Sequence, residues 1–289
     1  MKTLSGLFLS VVVSTAVPAA DWPCWRGPCG GGSQPDFNGA LVDDAAQIRQ
    51  VWKSEYVEGT FCGGYSSPVV AGGRVFVYFY YGDGKVTEVE INNYGGTGPG
   101  GPGKDGWKSL PNPEEMHRRR ASPAADEVVV CLDAATGKTL WRFTSPSTGL
   151  NHERENTAMH GTPCVRDGKV VVQGITGWIF CLDEKTGAKV WAVEHPVYQR
   201  IRDLRDQAVR EQKQNNSCGG PFPWSAPVIT GGKVVIGVRG DKVGKDYVGN
   251  CWEAYDLATG TKAWTLGGHG GGGQESPLLW RNSGTEYVI

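Results

Sequence analysis

One motif recurs three times along this chain with unchanged spacing. It reads VVVCLDAATGKTLW at 128–141, WIFCLDEKTGAKVW at 178–191 and CWEAYDLATGTKAW at 251–264. In every copy an Asp lies 8 residues before a Trp, with a Thr-Gly pair between them. The recurring positions are Asp133, Gly137 and Trp141 in the first copy, Asp183, Gly187 and Trp191 in the second, and Asp256, Gly260 and Trp264 in the third. Such a repeat predicts an architecture of successive similar units.

Each copy is typical of a β-hairpin. The branched apolar run 128–130 favours an extended strand, and the Asp side chain that follows can accept hydrogen bonds from backbone N–H groups two residues on. The glycine can adopt the positive φ that closes such a turn. We therefore interpret the repeated aspartates as turn residues and not as general bases, and we place each Trp on a second short strand.

A second pattern precedes the motif and completes a larger unit. Four segments each contain two β-rich runs joined by a tight turn: SSPVVAGGRVFV from 66, GTPCVRDGKVVV from 161, SAPVITGGKVVI from 225 and ESPLLWRNSGTEYVI from 275. A proline marks the start of the first run in each, where a missing N–H is tolerated. These prolines are Pro68, Pro163, Pro227 and Pro277. One unit is therefore four antiparallel strands, which is one blade of a β-propeller.

The strand count falls short of a closed ring. Residues 48–57, IRQVWKSEYV, are similar to the Trp-bearing last strand of a blade and are predicted to close the ring as a separate strand. Three full blades and two strands of a fourth follow, whereas a ring of about 4–8 blades requires about 16–32 strands. The predicted fold class is all-β: an incomplete β-propeller of four-stranded antiparallel blades, about half a ring, with the rest of the ring missing from this chain.

The repeat resembles that of PQQ-like, or quinoprotein-type, β-propellers. The D-x-x-T-G-x-x-x-W spacing carries the likeness, and DWPCWRGP at 21–28 is similar to the opening run of secreted bacterial members. The resemblance implies that each repeat Trp docks against the neighbouring blade. It also implies two kinds of relative, namely quinoprotein dehydrogenases that hold PQQ and Ca²⁺ on the propeller axis, and non-enzymatic propellers that bind proteins. The fold alone does not choose between them.

Charge and the N-terminal segment limit the partners and the location. Lys and Arg total 29 against 30 acidic residues, so the chain lacks the basic field that nucleic acids require. Residues 1–20 combine a positive residue, an apolar stretch and small residues at the end, which predicts a secretory signal peptide too short to span a membrane. No cysteine follows it directly for a lipid anchor. The mature propeller, 21–289, is predicted to be secreted or periplasmic.

Two insertions interrupt the repeat. Residues 82–127 contain a Gly/Pro-rich stretch and then PEEMHRRR, which predicts a long solvated loop. Residues 196–220 contain VYQRIRDLRDQAVREQKQNN, whose apolar spacing predicts a short amphipathic helix lying on the propeller.

Eight cysteines in an oxidising compartment favour disulfides. Cys131 and Cys181 share one repeat position and would lie in adjacent blades, beyond the ~7 Å Cα separation that a disulfide allows. Cys164 and Cys181 would be separated by a strand of the same blade. Cys24 with Cys29, in a Gly/Pro-rich segment, is the pairing that this geometry favours.

A functional site is expected where the blades differ. The connections into the first strand of each blade converge on one face of a propeller, near its central channel. The predicted ligand-binding residues on these connections are Tyr65, Ser66, His160, Trp224, Gln274 and Glu275. The stretch 151–155 with His160 is the densest group of metal-ligand residue types, but it matches no known ligand spacing. No metal site and no catalytic residue is therefore predicted.

Two functions follow from these patterns. The first is a secreted or periplasmic binding or scaffold module, without a catalytic set, that contacts a protein or a small molecule where those connections converge. The alternative, which the resemblance implies, is the N-terminal part of a PQQ-dependent alcohol or sugar dehydrogenase with PQQ and Ca²⁺ as cofactors. The sequence contains no adjacent cysteine pair, which the resemblance associates with stacking on PQQ.

Overall fold

The described part of the chain is almost entirely extended. The computed structural model describes residues 21–27, 44–55, 66–82, 87–90, 118–122, 125–145, 151–152, 161–174, 177–196, 199, 225–238, 241–243, 246–248, 251–267 and 276–289. A short 3-10 helix spans Ala45–Gln47. Within these ranges, no helix has the length and apolar character needed to cross a membrane.

Nineteen strands occur within the described residues. In chain order they are β1 (Val69–Ala71), β2 (Arg74–Gly82), β3 (Thr87–Glu90), β4 (Arg118–Ser122), β5 (Ala125–Asp133), β6 (Thr139–Ser145), β7 (Asn151–His152), β8 (Cys164–Arg166), β9 (Lys169–Gln173), β10 (Trp178–Asp183), β11 (Lys189–Glu194), β12 (Val228–Thr230), β13 (Lys233–Val238), β14 (Asp241–Val243), β15 (Asp246–Val248), β16 (Cys251–Asp256), β17 (Lys262–Gly267), β18 (Leu279–Asn282) and β19 (Thr285–Val288). The longer ones are rich in β-branched and aromatic residues, which favour a pleated, half-buried surface.

Twelve of these strands form three four-stranded antiparallel sheets, which are the blades. Blade 1 has the order β1-β2-β5-β6, blade 2 the order β8-β9-β10-β11 and blade 3 the order β12-β13-β16-β17. We call the four strands of each blade A to D in chain order. Strands β18 and β19 pair as strands A and B of a fourth blade. The predicted fold class, an incomplete all-β propeller with four-stranded antiparallel blades, is confirmed.

The blades also share one irregularity of register. Between strands C and D the pairing shifts by one residue, at Cys131/Leu132 in blade 1, at Cys181/Leu182 in blade 2 and at Ala254/Tyr255 in blade 3. A β-bulge of this kind re-aims the side chains that follow it. The shift lies next to the Trp of each repeat, since Trp141, Trp191 and Trp264 pair with the residue just before it.

The connections between strands lie at two opposite faces of the propeller. The A–B hairpins (71–74 and its equivalents) and the Asp-Gly turns between strands C and D (133–139 and its equivalents) share one face, which we call the turn face. The B–C and D–A connections lie at the other, which we call the loop face. The chain between β2 and β5, β6 and β8, β11 and β12, and β13 and β16 departs from the loop face.

Part of the first insertion is strand and not loop. Strands β3, β4 and β7 form a separate three-stranded sheet, in which Glu88 pairs with Arg120 and Ala121 pairs with His152. The prediction of a loop over 82–127 is therefore wrong for β3 and β4, because a distant partner, β7, completes a sheet that local composition did not reveal. The predicted insertion also ends too late, since β5 begins at Ala125. Blade 3 carries a further small hairpin, β14-β15, between its strands B and C. The predicted helix in 196–220 lies almost wholly outside the described residues.

The core lies between the blades. One buried cluster joins blades 1 and 2 and includes Phe76, Cys131 and Phe180, and another joins blades 2 and 3 and includes Trp191 and Ile236. The A strands approach one another, because β8 contacts both β1 and β12. This convergence places the A strands at the inner edge and the D strands at the outer edge of the propeller.

The predicted closing strand is not a strand in the structure. Residues 48–55 pair with no other strand of the described chain, and Ile48 and Val51 are largely exposed. Trp52 nevertheless docks on blade 1, where its indole N–H donates to the Ala134 carbonyl at 2.8 Å. Trp52 therefore makes the contact with blade 1 that the Trp of a preceding blade would make, although residues 48–55 form no strand.

Candidate functional site

Each repeated Asp is held inside its own turn. The Asp133 Oδ1 atom accepts hydrogen bonds from the backbone N–H groups of Ala135 at 3.1 Å and Thr136 at 2.8 Å, and from the Thr136 hydroxyl at 2.7 Å. The same three bonds recur at Asp183 and Asp256. The Thr136 hydroxyl and N–H lower the pKa of Asp133, and equivalent donors lower the pKa of the other two. A carboxylate with a low pKa and occupied acceptors is a poor general base at neutral pH.

A Trp from one unit docks on the Asp-Gly turn of the next. The Trp141 indole N–H donates to the Glu184 carbonyl at 3.1 Å, and the ring covers Gly187 so closely that a Cβ there would stand 2.5 Å from a ring carbon. The same contact joins Trp52 to Gly137 and Trp191 to Gly260. These glycines have φ of 71–73°. The receiving residue must therefore be glycine for two reasons, its backbone conformation and the space the indole occupies.

The structure describes one of the six predicted binding residues. Ser66 begins the chain into blade 1, and its Oγ is buried without a hydrogen-bond partner. The other five, Tyr65, His160, Trp224, Gln274 and Glu275, lie outside the described residues. Their neighbours are tied from blade to blade, because the Ser67 N–H donates to Thr162 Oγ1 at 3.1 Å and the Ala226 N–H donates to Ser276 Oγ at 2.9 Å. These D–A connections therefore enter their blades at points fixed to the adjacent blade.

A buried polar pair links blades 2 and 3 near the loop face. The Gln173 side-chain amide donates to the Gly237 carbonyl at 3.1 Å, and the Ser225 hydroxyl donates to Gln173 Oε1 at 3.1 Å. Both side chains are almost completely buried. At the equivalent positions between blades 1 and 2, the Tyr78 ring lies on Gly161. At this position the interface between blades 2 and 3 is thus polar, and the interface between blades 1 and 2 is aromatic.

Glu253 is the centre of a second polar group at the same interface. Its Oε2 atom lies 2.8 Å from His195 Nε2 and accepts a 2.5 Å hydrogen bond from the Tyr255 hydroxyl, while Oε1 accepts from Lys262 and Thr265 at 3.3 Å. Burial opposes ionisation, but the hydrogen bonds from His195 and Tyr255 outweigh it and lower the pKa of Glu253 to about 2. Glu253 is therefore a structural carboxylate and not a proton donor at neutral pH.

Sequence reasoning missed the Glu253 group. Glu253 holds the repeat position of Val130 in blade 1 and Phe180 in blade 2. A charged residue at a position that is apolar in the other copies was the available signal. Its partner His195 lies just after β11 in another blade, so no sequence spacing links the two.

The turn face carries an ion network that spans three blades. Glu286 of β19 accepts two hydrogen bonds from the Arg166 guanidinium of β8, both at 3.0 Å, and a third from Arg281 Nε at 2.8 Å. Thr230 of β12 donates to the same carboxylate. The bond from Arg166, followed by that from Thr230, lowers the pKa of Glu286 to about 2. The network fixes the A–B hairpins of blades 2, 3 and 4 to one another.

Two observations on the described residues bear on the cofactor that the family resemblance implies. Among them, no three His, Cys, Asp or Glu side chains lie close enough together to hold a metal ion. PQQ carries several carboxylates, which bind best to unpaired cations. Two cations close to the A strands, Arg74 and Arg166, are paired with Glu184 at 3.6 Å and Glu286 at 3.0 Å. A cofactor carboxylate there would have to displace a protein carboxylate.

Comparison with known proteins identifies the family. A family model described as outer membrane protein assembly factor BamB matches residues 125–285, more than half of the chain. The chain belongs to this family of PQQ-like repeat proteins. Two similar curated proteins are quinohemoprotein alcohol dehydrogenases of Pseudomonas putida: ADH-IIG is 32% identical over 140 residues, and ADH IIB is 30% identical over 138 residues.

These likenesses concern part of each relative. The two alignments cover 47% of this PQQ-like chain but only 16% and 17% of the dehydrogenases. Among solved structures, the quinohemoprotein alcohol dehydrogenase from Comamonas testosteroni is 16% identical with a TM-score of 0.39, covering 95% of this chain and 46% of that one. BamB from Moraxella catarrhalis is 20% identical with a TM-score of 0.29, covering 50% of this chain and 34% of that one.

Proposed function

We propose that this PQQ-like protein is a secreted or periplasmic binding module that presents its contact surface on the loop face. The distribution of polar groups supports the proposal. The repeated aspartates cap turns, and the Gln173 and Glu253 groups hold blades 2 and 3 together. The long connections, in contrast, all leave from the loop face. A rigid scaffold with variable connections at one end is how proteins commonly present binding residues.

The proposed contact residues are the six predicted from sequence. They are Tyr65, Ser66, His160, Trp224, Gln274 and Glu275. Two of them are aromatic, and Trp and Tyr are the residues that most often dominate the energy of protein interfaces. The family model is named for an assembly factor, a class of protein that acts by binding other proteins. We therefore favour a protein partner over a small molecule.

Loop-face substitutions test the proposal. A tagged full-length protein would be cross-linked in its own cells, and the bound partner identified by mass spectrometry and then purified. We expect Trp224→Ala to weaken binding of that partner about tenfold or more. Lys185→Ala, an exposed change on the turn face, is the control and should leave affinity unchanged. A contact surface on the loop face would be contradicted if both variants weakened partner binding equally, or if neither variant weakened it.

The proposed location has its own test. Cell fractionation followed by N-terminal sequencing should find the mature protein outside the cytoplasm, beginning near Asp21. A cytoplasmic protein that retains residues 1–20 would contradict secretion without bearing on the loop-face contact.

A second function is PQQ-dependent oxidation of an alcohol or sugar, and the names of the two relatives, both alcohol dehydrogenases, favour the alcohol. PQQ would supply the redox chemistry when bound. Adding PQQ and Ca²⁺ to the full-length protein should then raise its melting temperature, since a ligand at about 100 times its Kd contributes about 2.7 kcal/mol. Stabilisation together with dye-linked alcohol oxidation would replace the binding-module proposal. If neither stabilisation nor oxidation were observed, the dehydrogenase function would be ruled out.

We also infer that further blades cover the outer side of blade 3. Trp264 holds the repeat position at which Trp141 and Trp191 dock, yet it is 41% exposed, and Leu266 and Trp280 near it are about half exposed. A Trp at this position fits the Asp-Gly turn of a following blade. Coding sequence beyond Ile289 that contains more D-x-x-T-G-x-x-x-W copies would support this inference, and an in-frame stop there would contradict it.

A further inference from the structure

Residues 21–27 form a strap across the A strands of blades 1 and 2. Trp22 pairs with Val70 of β1, with N–H to O=C distances of 2.7 and 2.9 Å in the two directions. One residue later, the Pro23 carbonyl accepts a hydrogen bond from the Val165 N–H of β8 at 2.7 Å. The strap therefore crosses from one A strand to the next at the inner edge of the propeller.

A tight turn fixes the far end of this strap. The Gly27 N–H donates to the Cys24 carbonyl at 3.0 Å, and the Cys24 thiol donates to the Gly27 carbonyl at 2.6 Å. Arg26 and Gly27 both have positive φ, 63° and 88°. The Trp22 ring lies on Gly27, where a Cβ would stand 3.1 Å from a ring carbon. Cys24 is thus held in place by the turn as well as by the neighbouring strand.

Cys24 and Cys164 lie next to this hydrogen bond. Cys24 follows Pro23, whose carbonyl accepts the bond, and Cys164 precedes Val165, whose N–H donates it. Both thiols belong to one buried cluster, and they hydrogen-bond to each other.

We propose that Cys24 and Cys164 form a disulfide that fastens the strap to blade 2. An Sγ–Sγ bond forms and two S–H bonds break. The two protons and two electrons pass to an exchanging disulfide, such as oxidised glutathione, which leaves as two thiols. This inference is independent of the proposed binding function.

Burial disfavours the thiolate of the docked Cys164, so we place the oxidation during folding. The hydrogen bond with Cys24, and then burial, raise the pKa of Cys164 well above the usual thiol value. Thiol exchange requires a thiolate, so the reaction is expected before the strap has fully docked. Cys29, the partner that the sequence favoured for Cys24, lies outside the described residues, and the proposed bond is an alternative to that pairing.

Three other buried cysteines supply controls. Cys131, Cys181 and Cys251 lie on the C strands of separate blades, and burial raises their pKa values to about 12, 12 and 11. None of the three belongs to the strap. Replacing one of them should leave the Cys24–Cys164 bond intact.

Peptide mapping tests the pairing directly. The full-length protein would be folded with reduced and oxidised glutathione, blocked with iodoacetamide in guanidinium without further reductant, and digested with trypsin. The cysteines fall in separate peptides: Cys24 in the one ending at Arg26, Cys29 in 27–49 and Cys164 in 155–166. We expect the peptide that contains Cys24 to be joined to peptide 155–166. Joining to 27–49, or recovery of both as singly blocked peptides, would overturn the proposal.

Variants and melting temperature give a second readout. Cys131→Ala should retain the joined peptides, and Cys24→Ser should leave Cys164 blocked as a single thiol. Reduction should lower the melting temperature of the wild-type protein by about 5–15 °C and that of Cys24→Ser by much less. An equal fall in both proteins would mean that the stabilising disulfide lies elsewhere.

Discussion

The structure describes two interfaces between full blades, one between blades 1 and 2 and one between blades 2 and 3. They have the same contact at the rim, by which we mean the docking of a repeat Trp on the next Asp-Gly turn. They differ in the side chains that pack inside. At both rims a Trp indole donates to a carbonyl of the next turn and covers its glycine. Inside the first interface, Phe143 and Phe180 pack with ring centroids 5.4 Å apart. Inside the second, His195 and Glu253 are joined by a 2.8 Å hydrogen bond.

The difference shows which contacts set the geometry of the propeller. The rim contact is the same at both interfaces, so it is the contact that the repeat supplies to every pair of blades. The interior accepts either aromatic packing or a polar group, provided that the buried polar atoms find partners. Glu253 meets this condition through four side chains from two blades.

The largest predicted effect tests whether the two rims are equivalent. Trp141→Ala and Trp191→Ala should each lower the free energy of unfolding by about 4 kcal/mol, since both remove a docked indole and its hydrogen bond. Trp264→Ala, at the exposed position, should cost about 1 kcal/mol. Urea denaturation of the full chain measures all three. A difference of more than about 2 kcal/mol between the first two would show that the rims are not equivalent.

The next largest loss of stability is expected at Gly187, the turn glycine that the Trp141 ring covers. Gly187→Ala is expected to cost about 3 kcal/mol, because the new methyl group meets the Trp141 ring and the backbone is held at φ 71°. Gly168→Ala is a matched control at φ 72° with no atom near its Cβ position, and it should cost only about 1 kcal/mol. Equal losses would mean that backbone conformation, and not the indole, decides the requirement for glycine.

Acid should weaken the second interface specifically. The pKa of Glu253 is about 2 in the folded protein against a usual 4.5, so its contribution is complete above pH about 4.5 and is lost as the pH falls towards 2. We expect the amides of β16 and β10 to exchange faster with solvent across that range.

Glu253→Gln should reduce this acid sensitivity by about 2 kcal/mol. Glu286→Gln is the control, since Glu286 has a similarly low pKa on the turn face. Hydrogen exchange of β6, the blade 1 strand that carries Phe143, should not change with either variant. If Glu253→Gln left the exchange of β16 equally acid-sensitive, the His195–Glu253 pair would not be what holds that interface.

The smallest effect is expected outside the interfaces. Arg166→Ala removes the paired guanidinium from Glu286, but both side chains are partly exposed, so the loss of stability should be about 1 kcal/mol at low salt and less at high salt. Thermal melts at two salt concentrations measure it. A loss as large as that of Trp191→Ala would make the ion network, and not the rim, the main link between blades.

The fold was predictable because its determinants are local and repeated. The Asp-Gly turn, the strand on each side and the A–B hairpin are encoded within a few residues of one another, so the three full blades follow from the spacing of Asp133, Asp183 and Asp256. The strand predicted around Trp52 failed because a strand needs a paired neighbour as well as a suitable sequence. Strand β4 was missed for the opposite reason, since its partners, β3 and β7, are distant in the chain.

The loop-face residues remain predictions, and the Glu253 group came from the structure alone. The six loop-face positions were chosen by topology, and Ser66 is the one among them that the structure describes. Glu253 stood out in the sequence only as a break in an apolar repeat position. The residue that accommodates it, His195, could not be identified without the relative placement of two blades.

By itself the sequence determined the repeating unit and its turns, because both depend on short-range spacing and on glycine's freedom of backbone conformation. The docking of each repeat Trp on the next unit was implied by the resemblance to PQQ-like propellers. The tertiary structure decided which side chains meet across the blades: Phe143 with Phe180, His195 with Glu253, Arg166 with Glu286, and Cys24 with Cys164. Those contacts join residues up to 140 positions apart. Their partners are set by how twisted sheets pack side by side, which no local pattern of residues specifies.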